Sequence, residues 1–80
     1  MAMACTIRVR LFFHYQEHAP GGRGEFNLDL EPGTKLEQVV GGLGLPEEAK
    51  VVLVNGRQAE PGQIMQANDL LVVFPPIEGG

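Results

Sequence analysis

The carboxyl terminus carries the residues best suited to chemistry, since a short tail there begins with two prolines and ends with two glycines. Gly79 and Gly80 have no side chains, so this end can enter a narrow channel that excludes larger residues. Pro75 and Pro76 make the root of the tail stiff and extended. Fully extended, the six residues from Pro75 to Gly80 reach roughly 20 Å. The pattern predicts a tail that presents a terminal carboxylate to another protein, and the alternative is an ordinary frayed terminus.

A terminal carboxylate reacts only after it has been activated. ATP can convert it into an acyl-adenylate, and a sulfur donor or an amine can then displace AMP. The acyl group of glycine is the least hindered of all, which suits attack inside a tight site. On this interpretation the chain supplies no catalytic side chain, and its chemistry takes place on the main chain of Gly80.

Length and charge narrow the classes of protein that such a tail can serve. Eighty residues, 44% of them hydrophobic and 20% charged, make one globular domain. The net charge of −4 provides no basic cluster for nucleic acid or for an anionic membrane surface. A single cysteine, Cys5, excludes an intramolecular disulfide and favours a reducing compartment. The sequence shows neither a signal peptide nor an apolar run near ~20 residues, so a cytoplasmic location is expected.

The spacing of apolar residues predicts the elements that hold the tail. Apolar and polar residues alternate over 6–13 and over 25–31, which is typical of two strands that pair as an antiparallel hairpin. Residues 36–43 repeat their apolar side chains at helical spacing, after a capping box formed by Thr34 and Glu37 and before a run of glycines. The sequence therefore predicts two strands followed by one short amphipathic helix.

The second half of the chain predicts three more strands. Residues 51–54 and 70–74 are continuous apolar runs, which indicate central strands buried on both faces. Asn55 and Gly56 predict a tight hairpin turn into a brief strand at 57–59. The order β-β-α-β-β-β indicates an α+β fold, in which one main helix packs on one face of a mixed sheet.

One face of the first strand carries a candidate docking surface. If Phe13 faces the core, Phe12 lies on the outer face beside Arg8 and Arg10. An exposed aromatic side chain near arginines is typical of a protein-binding surface. The alternative is that Phe12 lies beneath the loop that residues 14–23 are predicted to form.

Three other features favour structural roles. His14 and His18 have the spacing of two metal ligands on a helix, but no third ligand is near, so no metal site is expected. Cys5 lacks an evident activating base and is expected to be inert. The glycines at 21, 22 and 24 lack the lysine and the following helix of a phosphate loop, which favours a hairpin tip.

Taken together, these residues resemble the MoaD/ThiS sulfur-carrier family. The shared features are the order of elements, the Asn55–Gly56 turn, the Asn68–Asp69 pair before the last strand, and the Phe-Pro-Pro-x-x-Gly-Gly ending. The resemblance implies the ubiquitin-like β-grasp fold, with a domain over 1–74 and an extended tail over 75–80. The two prolines make the chain most similar to the small subunit of molybdopterin synthase, although residues 14–23 predict no good helix where that branch commonly has one.

The resemblance also implies partners and site residues. In that family an E1-like adenylyltransferase uses ATP to adenylate the terminal glycine, and a sulfurtransferase system converts it to a thiocarboxylate. The carrier then inserts its tail into a large synthase subunit, or into another sulfur acceptor enzyme, and donates sulfur for molybdopterin. By position, Gly80 carries the thiocarboxylate and Gly79 threads the channel, and no bound cofactor is implied. The docking part of the tail consists of Phe74, Pro75, Pro76, Ile77 and Glu78.

Other functions fit the same residues. Related carriers serve thiamine, tungsten-cofactor, cysteine or tRNA-thiolation pathways, and a ubiquitin-like modifier uses the same ending to form isopeptide bonds with lysines. A plain β-grasp interaction module without tail chemistry is the third class of function.

Overall fold

The computed structural model describes residues 5–76. Its strands and helix are β1 (Cys5–Leu11), β2 (Glu25–Leu30), α1 (Leu36–Gly42), β3 (Val51–Val54), β4 (Arg57–Gln58) and β5 (Leu70–Phe74). Short 3₁₀ segments, Phe13–His18 and Pro20–Gly22, link β1 to β2. The strands form one sheet in the order β2-β1-β5-β3-β4. Strand β1 runs parallel to β5, and the other neighbours are antiparallel, which confirms the predicted mixed sheet and hairpin.

Helix α1 covers one face of this sheet and closes a single core. Every second residue of β1 and of β5 points into the core, and Val9, Leu11, Leu71 and Val73 are fully buried there. The helix contributes buried side chains from its own apolar stripe. Fully burying an aliphatic side chain stabilises the fold by about 1.5–3 kcal/mol, so these central strands hold much of the stability of a small domain. The opposite face of the sheet has no helix on it within the described residues.

The predicted place of Phe13 in the core is wrong. Strand β1 ends at Leu11, and Phe13 has a φ of 57° with 61% of its surface exposed. The chain leaves the sheet at this point, and the 3₁₀ segment that follows returns Tyr15 to the core, where it is fully buried. Alternation of apolar and polar residues beyond Leu11 therefore does not predict burial, because alternate side chains point to opposite faces only within the strand, and the strand has ended.

The start of α1 also differs from the prediction. Residues 34–36 pair with 63–65 through backbone hydrogen bonds, and the bridge between Lys35 and Ile64 keeps Lys35 extended. The helix therefore begins at Leu36 rather than after Thr34. The Thr34 hydroxyl donates to the Glu31 carbonyl (2.6 Å), and the side chain of Gln38, not that of Glu37, accepts the Lys35 N–H (2.9 Å).

The Asn55–Gly56 turn is formed as predicted and fixes one end of the sheet. Both residues have positive φ (53° and 81°), the combination that a tight hairpin turn of this twist requires. The Asn55 side chain also bridges to the start of β5, since it accepts the Leu70 N–H and donates to Asp69, each at 2.9 Å. The tail leaves from the opposite end of β5.

Candidate functional site: the open sheet face and the root of the tail

The root of the tail lies at the end of the central strand. Strand β5 stops at Phe74, which lies directly opposite Val51 of β3. Pro75 is half-buried and Pro76 is exposed. Neither proline can donate a hydrogen bond to a neighbouring strand, so pairing ends here. The predictions for Ile77, Glu78, Gly79 and Gly80, and with them the full tail over 75–80, lie outside the described residues.

The open face of the sheet is apolar next to this root. The prediction that β3 and β5 are buried on both faces is wrong, because only the helix side of each strand is covered. On the other side, apolar side chains lie next to one another across the two strands, and Leu53 is directly opposite Val72. Each of them stays partly exposed; they are Val51, Leu53, Leu70, Val72 and Phe74. We call these five residues the apolar patch.

The arginines predicted to form a docking surface lie on the same face, beside the patch. In the parallel register of β1 with β5, Arg8 is level with Leu70 and Arg10 with Val72. Both are held by Glu25 of β2, whose carboxylate lies 2.8 Å from Arg8 Nε and 3.4 Å from Arg10 Nε. Glu25 offsets one of the two positive charges, so the arginines form a polar border beside the apolar patch.

Two exposed phenylalanines stand where β1 ends. Phe12 is 40% exposed, so it lies outward and not beneath the following segment, and its N–H donates to the Val73 carbonyl (3.2 Å). Phe13 follows it, also exposed. Because β1 is parallel to β5, the carboxyl ends of both strands lie at the same end of the sheet. The structure therefore places a second exposed aromatic side chain, that of Phe13, next to Phe12 near the root of the tail.

A polar cluster joins the 3₁₀ segment Phe13–His18 to the loop before β3. The Tyr15 hydroxyl donates to Glu48 Oε1 (2.8 Å), and His14 Nε2 lies 3.0 Å from the same oxygen. Burial, together with the hydrogen bond to Glu48 and its negative charge, raises the pKa of Tyr15 to about 12. The hydrogen bonds from His14 and Tyr15 hold the pKa of Glu48 below its usual range. This cluster fixes both segments that flank the end of β5.

Side chains suited to bind a metal are not brought together in the described residues. No group of three histidine, cysteine, aspartate or glutamate side chains lies close enough to hold an ion there. His14 contacts Glu48 instead of His18. Cys5 is buried, and its sulfur lies 3.8 Å from the Met65 carbonyl oxygen. Within residues 5–76, no helix is long and apolar enough to cross a membrane.

Sequence reasoning missed most of the apolar patch, although the signal was present. A strand without a polar residue indicates cover on both sides, whereas one side of β3 and of β5 is open to solvent. It also missed the ion pairs of Glu25 with the two arginines, since the pairing depends on the register of β1 with β2. The cluster of Tyr15 with Glu48 joins residues 33 positions apart and had no local signal.

Comparison with protein families gives one match that spans most of the chain. The family model described as the ThiS family matches residues 9–80. Comparison with curated proteins finds no match.

Solved structures show the same fold at low sequence identity. Small archaeal modifier protein 1 of H. volcanii is similar with a TM-score of 0.76 and 22% identity over 91% of this chain and 99% of that one. A Pyrococcus furiosus protein described as molybdopterin converting factor, subunit 1, has a TM-score of 0.74 and 21% identity over 91% and 99%. The ubiquitin of Caldiarchaeum subterraneum has a TM-score of 0.61 and 17% identity over 98% and 100%. The predicted ubiquitin-like β-grasp fold is confirmed.

Proposed function

The chain belongs to the ThiS family of ubiquitin-like sulfur carriers, and from this premise we propose that Gly80 is adenylated and then converted to a thiocarboxylate that donates sulfur. The observation that carries the proposal is the apolar patch, which reaches the last residue before Pro75. A partner that covers the patch is placed where it receives the tail. The domain then serves to hold and orient a reactive terminus.

The proposed reaction needs no side chain of this protein. A carboxylate oxygen of Gly80 attacks the α-phosphorus of ATP, and pyrophosphate leaves to give the acyl-adenylate. Hydrosulfide supplied by a sulfurtransferase system then attacks the carbonyl carbon, and AMP leaves with the electrons of the broken C–O bond. Loss of the S–H proton leaves the thiocarboxylate. The E1-like adenylyltransferase supplies the groups that bind ATP and stabilise the charge that develops.

The proposed docking surface combines the apolar patch with its neighbours. Interfaces owe most of their affinity to a few apolar and aromatic side chains at the centre, with polar groups around them. Leu53 and Val72 lie opposite each other in the middle of the patch, and Phe74 lies at its end beside the tail root. Phe12 stands at the same end of the sheet as the tail root. Arg8 and Arg10, paired with Glu25, form the polar rim on one side.

We propose that the sulfur is used to form molybdopterin and that a large synthase subunit transfers it. The support is the Phe74-Pro75-Pro76 root, which resembles the small subunit of molybdopterin synthase. Thiamine-type and tRNA-thiolation acceptors are the alternatives. Since the activation step consumes ATP, we place the reaction in the cytoplasm.

An exchange assay tests activation. Purified protein and its E1-like partner are incubated with ATP and labelled pyrophosphate, and label in ATP is counted. We expect exchange with the full chain and none with a chain that lacks Gly80. Exchange that continues without Gly80 would contradict the proposal.

Adding each candidate acceptor enzyme with its own precursor to the thiocarboxylated protein then identifies the pathway by its sulfur-containing product.

Conjugation to proteins is a second candidate function, because an activated Gly80 can be attacked by an amine as well as by sulfur. The similarity to small archaeal modifier protein 1 concerns the fold. The glycine ending is compatible with conjugation of Gly80 to an amine. Expression of a tagged chain in its host, followed by denaturing gels, separates the two functions. Ladders that vanish when Gly80 is removed support conjugation, and a single band supports sulfur transfer alone.

A further inference from the structure

We propose that two copies of this chain associate through the outer edges of β2, antiparallel to each other and centred on Phe26. Strand β2 is an edge strand of six residues, since β1 alone pairs with it in the sheet order. The other edge, β4, has two residues and is followed closely by Pro61, which cannot continue a ladder. In the described residues β2 is thus the edge long enough to receive a strand.

The backbone of β2 has hydrogen-bonding groups turned outward. Leu11 N–H donates to the Gly24 carbonyl (2.7 Å), which sets the pattern of the β1–β2 ladder. Along an antiparallel pair, residues alternate between those that bond to the neighbour and those that face away. The N–H and C=O groups of Glu25, Asn27 and Asp29 accordingly face away from β1, where an added strand can bind them.

Along this edge, a basic residue lies just before the start of β2 and an acidic residue lies near its end. Arg23 has extended backbone angles (φ −85°, ψ 140°) just before β2, and its side chain borders a recess with Arg8 and Asn27 on the open face. Asp29 lies near the other end of the strand, on the same face. An antiparallel second copy brings the basic end of one edge to the acidic end of the other.

The charges also select one register. With the pair centred on Phe26, Arg23 lies opposite Asp29 of the second copy, twice by symmetry, and Glu25 lies opposite Asn27. Centred on Asn27, Glu25 would lie opposite Asp29, and centred on Leu28 it would lie opposite Glu31. Like charges directly opposite each other destabilise a strand pair, whereas opposite charges and aromatic pairs stabilise it. The Phe26 register alone of the three avoids carboxylate pairs and places Phe26 against its own copy.

The proposed dimer leaves the apolar patch free. In the Phe26 register, residues that lie opposite each other belong to the same face of the two sheets. The two sheets therefore join into one continuous sheet of ten strands, with both open faces on one side and both helices on the other. The patch lies on β3 and β5, and β1 separates it from the paired edges. An interface made by one strand from each copy is small, so we expect weak, concentration-dependent association. It requires neither ATP nor the tail, so its failure leaves the sulfur-carrier proposal untouched.

Sedimentation velocity from micromolar to millimolar protein tests the proposal with four variants. We expect dimers of the natural chain, weakened about tenfold by Arg23→Asp and by Asp29→Arg, each of which places like charges opposite each other twice. The double variant restores the opposite-charge pair and should dimerise like the natural chain. Asn27→Pro removes an outward N–H without breaking the ladder to β1, so it should abolish the dimer while circular dichroism and thermal unfolding show an intact fold.

Two matched measurements locate the contact. Leu53→Lys changes the apolar patch and should leave the β2 dimer intact, and amide hydrogen exchange of the natural chain should show concentration-dependent protection at Glu25, Asn27 and Asp29. A monomer at every concentration would overturn the proposal. So would a dimer that survives Asn27→Pro and is lost with Leu53→Lys, or a double variant that fails to recover.

Discussion

Val51 lies directly opposite Phe74, so the apolar face formed by β3 and β5 continues to the residue at which the tail begins. The two side chains are partly exposed and share this face with Leu53 and Val72. Pro75 follows at once and ends the pairing of the strand. An enzyme that covers the apolar patch therefore meets the root of the tail at a fixed position, which should shorten its search for the terminal carboxylate.

Leu53→Lys should weaken binding to the activating enzyme by tenfold or more, because it places a charge at the centre of the apolar patch. The side chain of Leu53 is on the open face, so the free energy of unfolding should change by less than about 1 kcal/mol. Titration calorimetry with the E1-like partner, and urea unfolding of the protein alone, measure the two effects.

Ile64→Lys is the matched control for this variant. Ile64 is an exposed aliphatic residue (53%) that lies outside the patch, beside the start of α1. The same change of side chain there should leave the affinity within about twofold, since scattered surface positions contribute little to binding. Equal losses of affinity in both variants would show that the patch is not the docking surface.

Leu71→Ala and Leu70→Ala should separate the two faces of β5. Leu71 is fully buried under α1, so its truncation should lower the free energy of unfolding by about 2–5 kcal/mol. Leu70 lies on the open face and is only partly buried, so the same truncation should cost less than half as much. Urea unfolding of both variants measures the difference, and equal costs would contradict the one-sided burial of the sheet.

Tyr15 should titrate far above its ordinary range, and its state of protonation should affect stability. Its pKa is raised from 10.0 to about 12 by burial and by Glu48, so the folded protein holds this proton more tightly than the unfolded chain does. The contribution of Tyr15 to stability is therefore complete below pH 10 and is lost as the pH rises towards 12. Because the chain contains one tyrosine and no tryptophan, the ultraviolet absorbance of tyrosinate follows this titration directly.

Tyr15→Phe is the control for this alkaline loss of stability. The variant lacks the hydroxyl, so its free energy of unfolding should fall less steeply between pH 10 and 12. At neutral pH it should lose about 0.5–1.5 kcal/mol with the hydrogen bond to Glu48. A tyrosinate titration near pH 10 in the folded protein would contradict the buried position of this ring.

Local signals in the sequence predicted the parts of the fold that depend on neighbouring residues. The bounds of β5 and the turn at Asn55–Gly56 were confirmed because an apolar run, a proline pair and a tight-turn dipeptide act locally. The start of α1 was predicted wrongly because the extended Lys35 is held by Ile64, far along the chain. Tyr15, and not Phe13 as predicted, lies in the core. This difference likewise depends on where β1 leaves the sheet.

The candidate site was predicted only in part for a related physical reason. An apolar run reports that a strand avoids water but does not say whether the covering surface belongs to the same chain or to a partner. The helix covers one side of β3 and β5, and the second side is partly exposed to solvent. Arg8 and Arg10 lie on this face, as the alternation of β1 indicates, whereas the five residues of the apolar patch became evident only from the strand register.

The mass of the intact protein shows whether Gly80 becomes a thiocarboxylate. The protein is incubated with ATP, its E1-like partner, a sulfurtransferase and a sulfur source, and then measured by mass spectrometry. Replacement of one carboxylate oxygen of Gly80 by sulfur should raise the mass by about 16 Da, and fragmentation should locate the gain at the terminal residue. The gain should require ATP and should be absent from a chain that lacks Gly80. An unchanged mass with the complete cognate set, or a gain that persists without Gly80, would contradict the account.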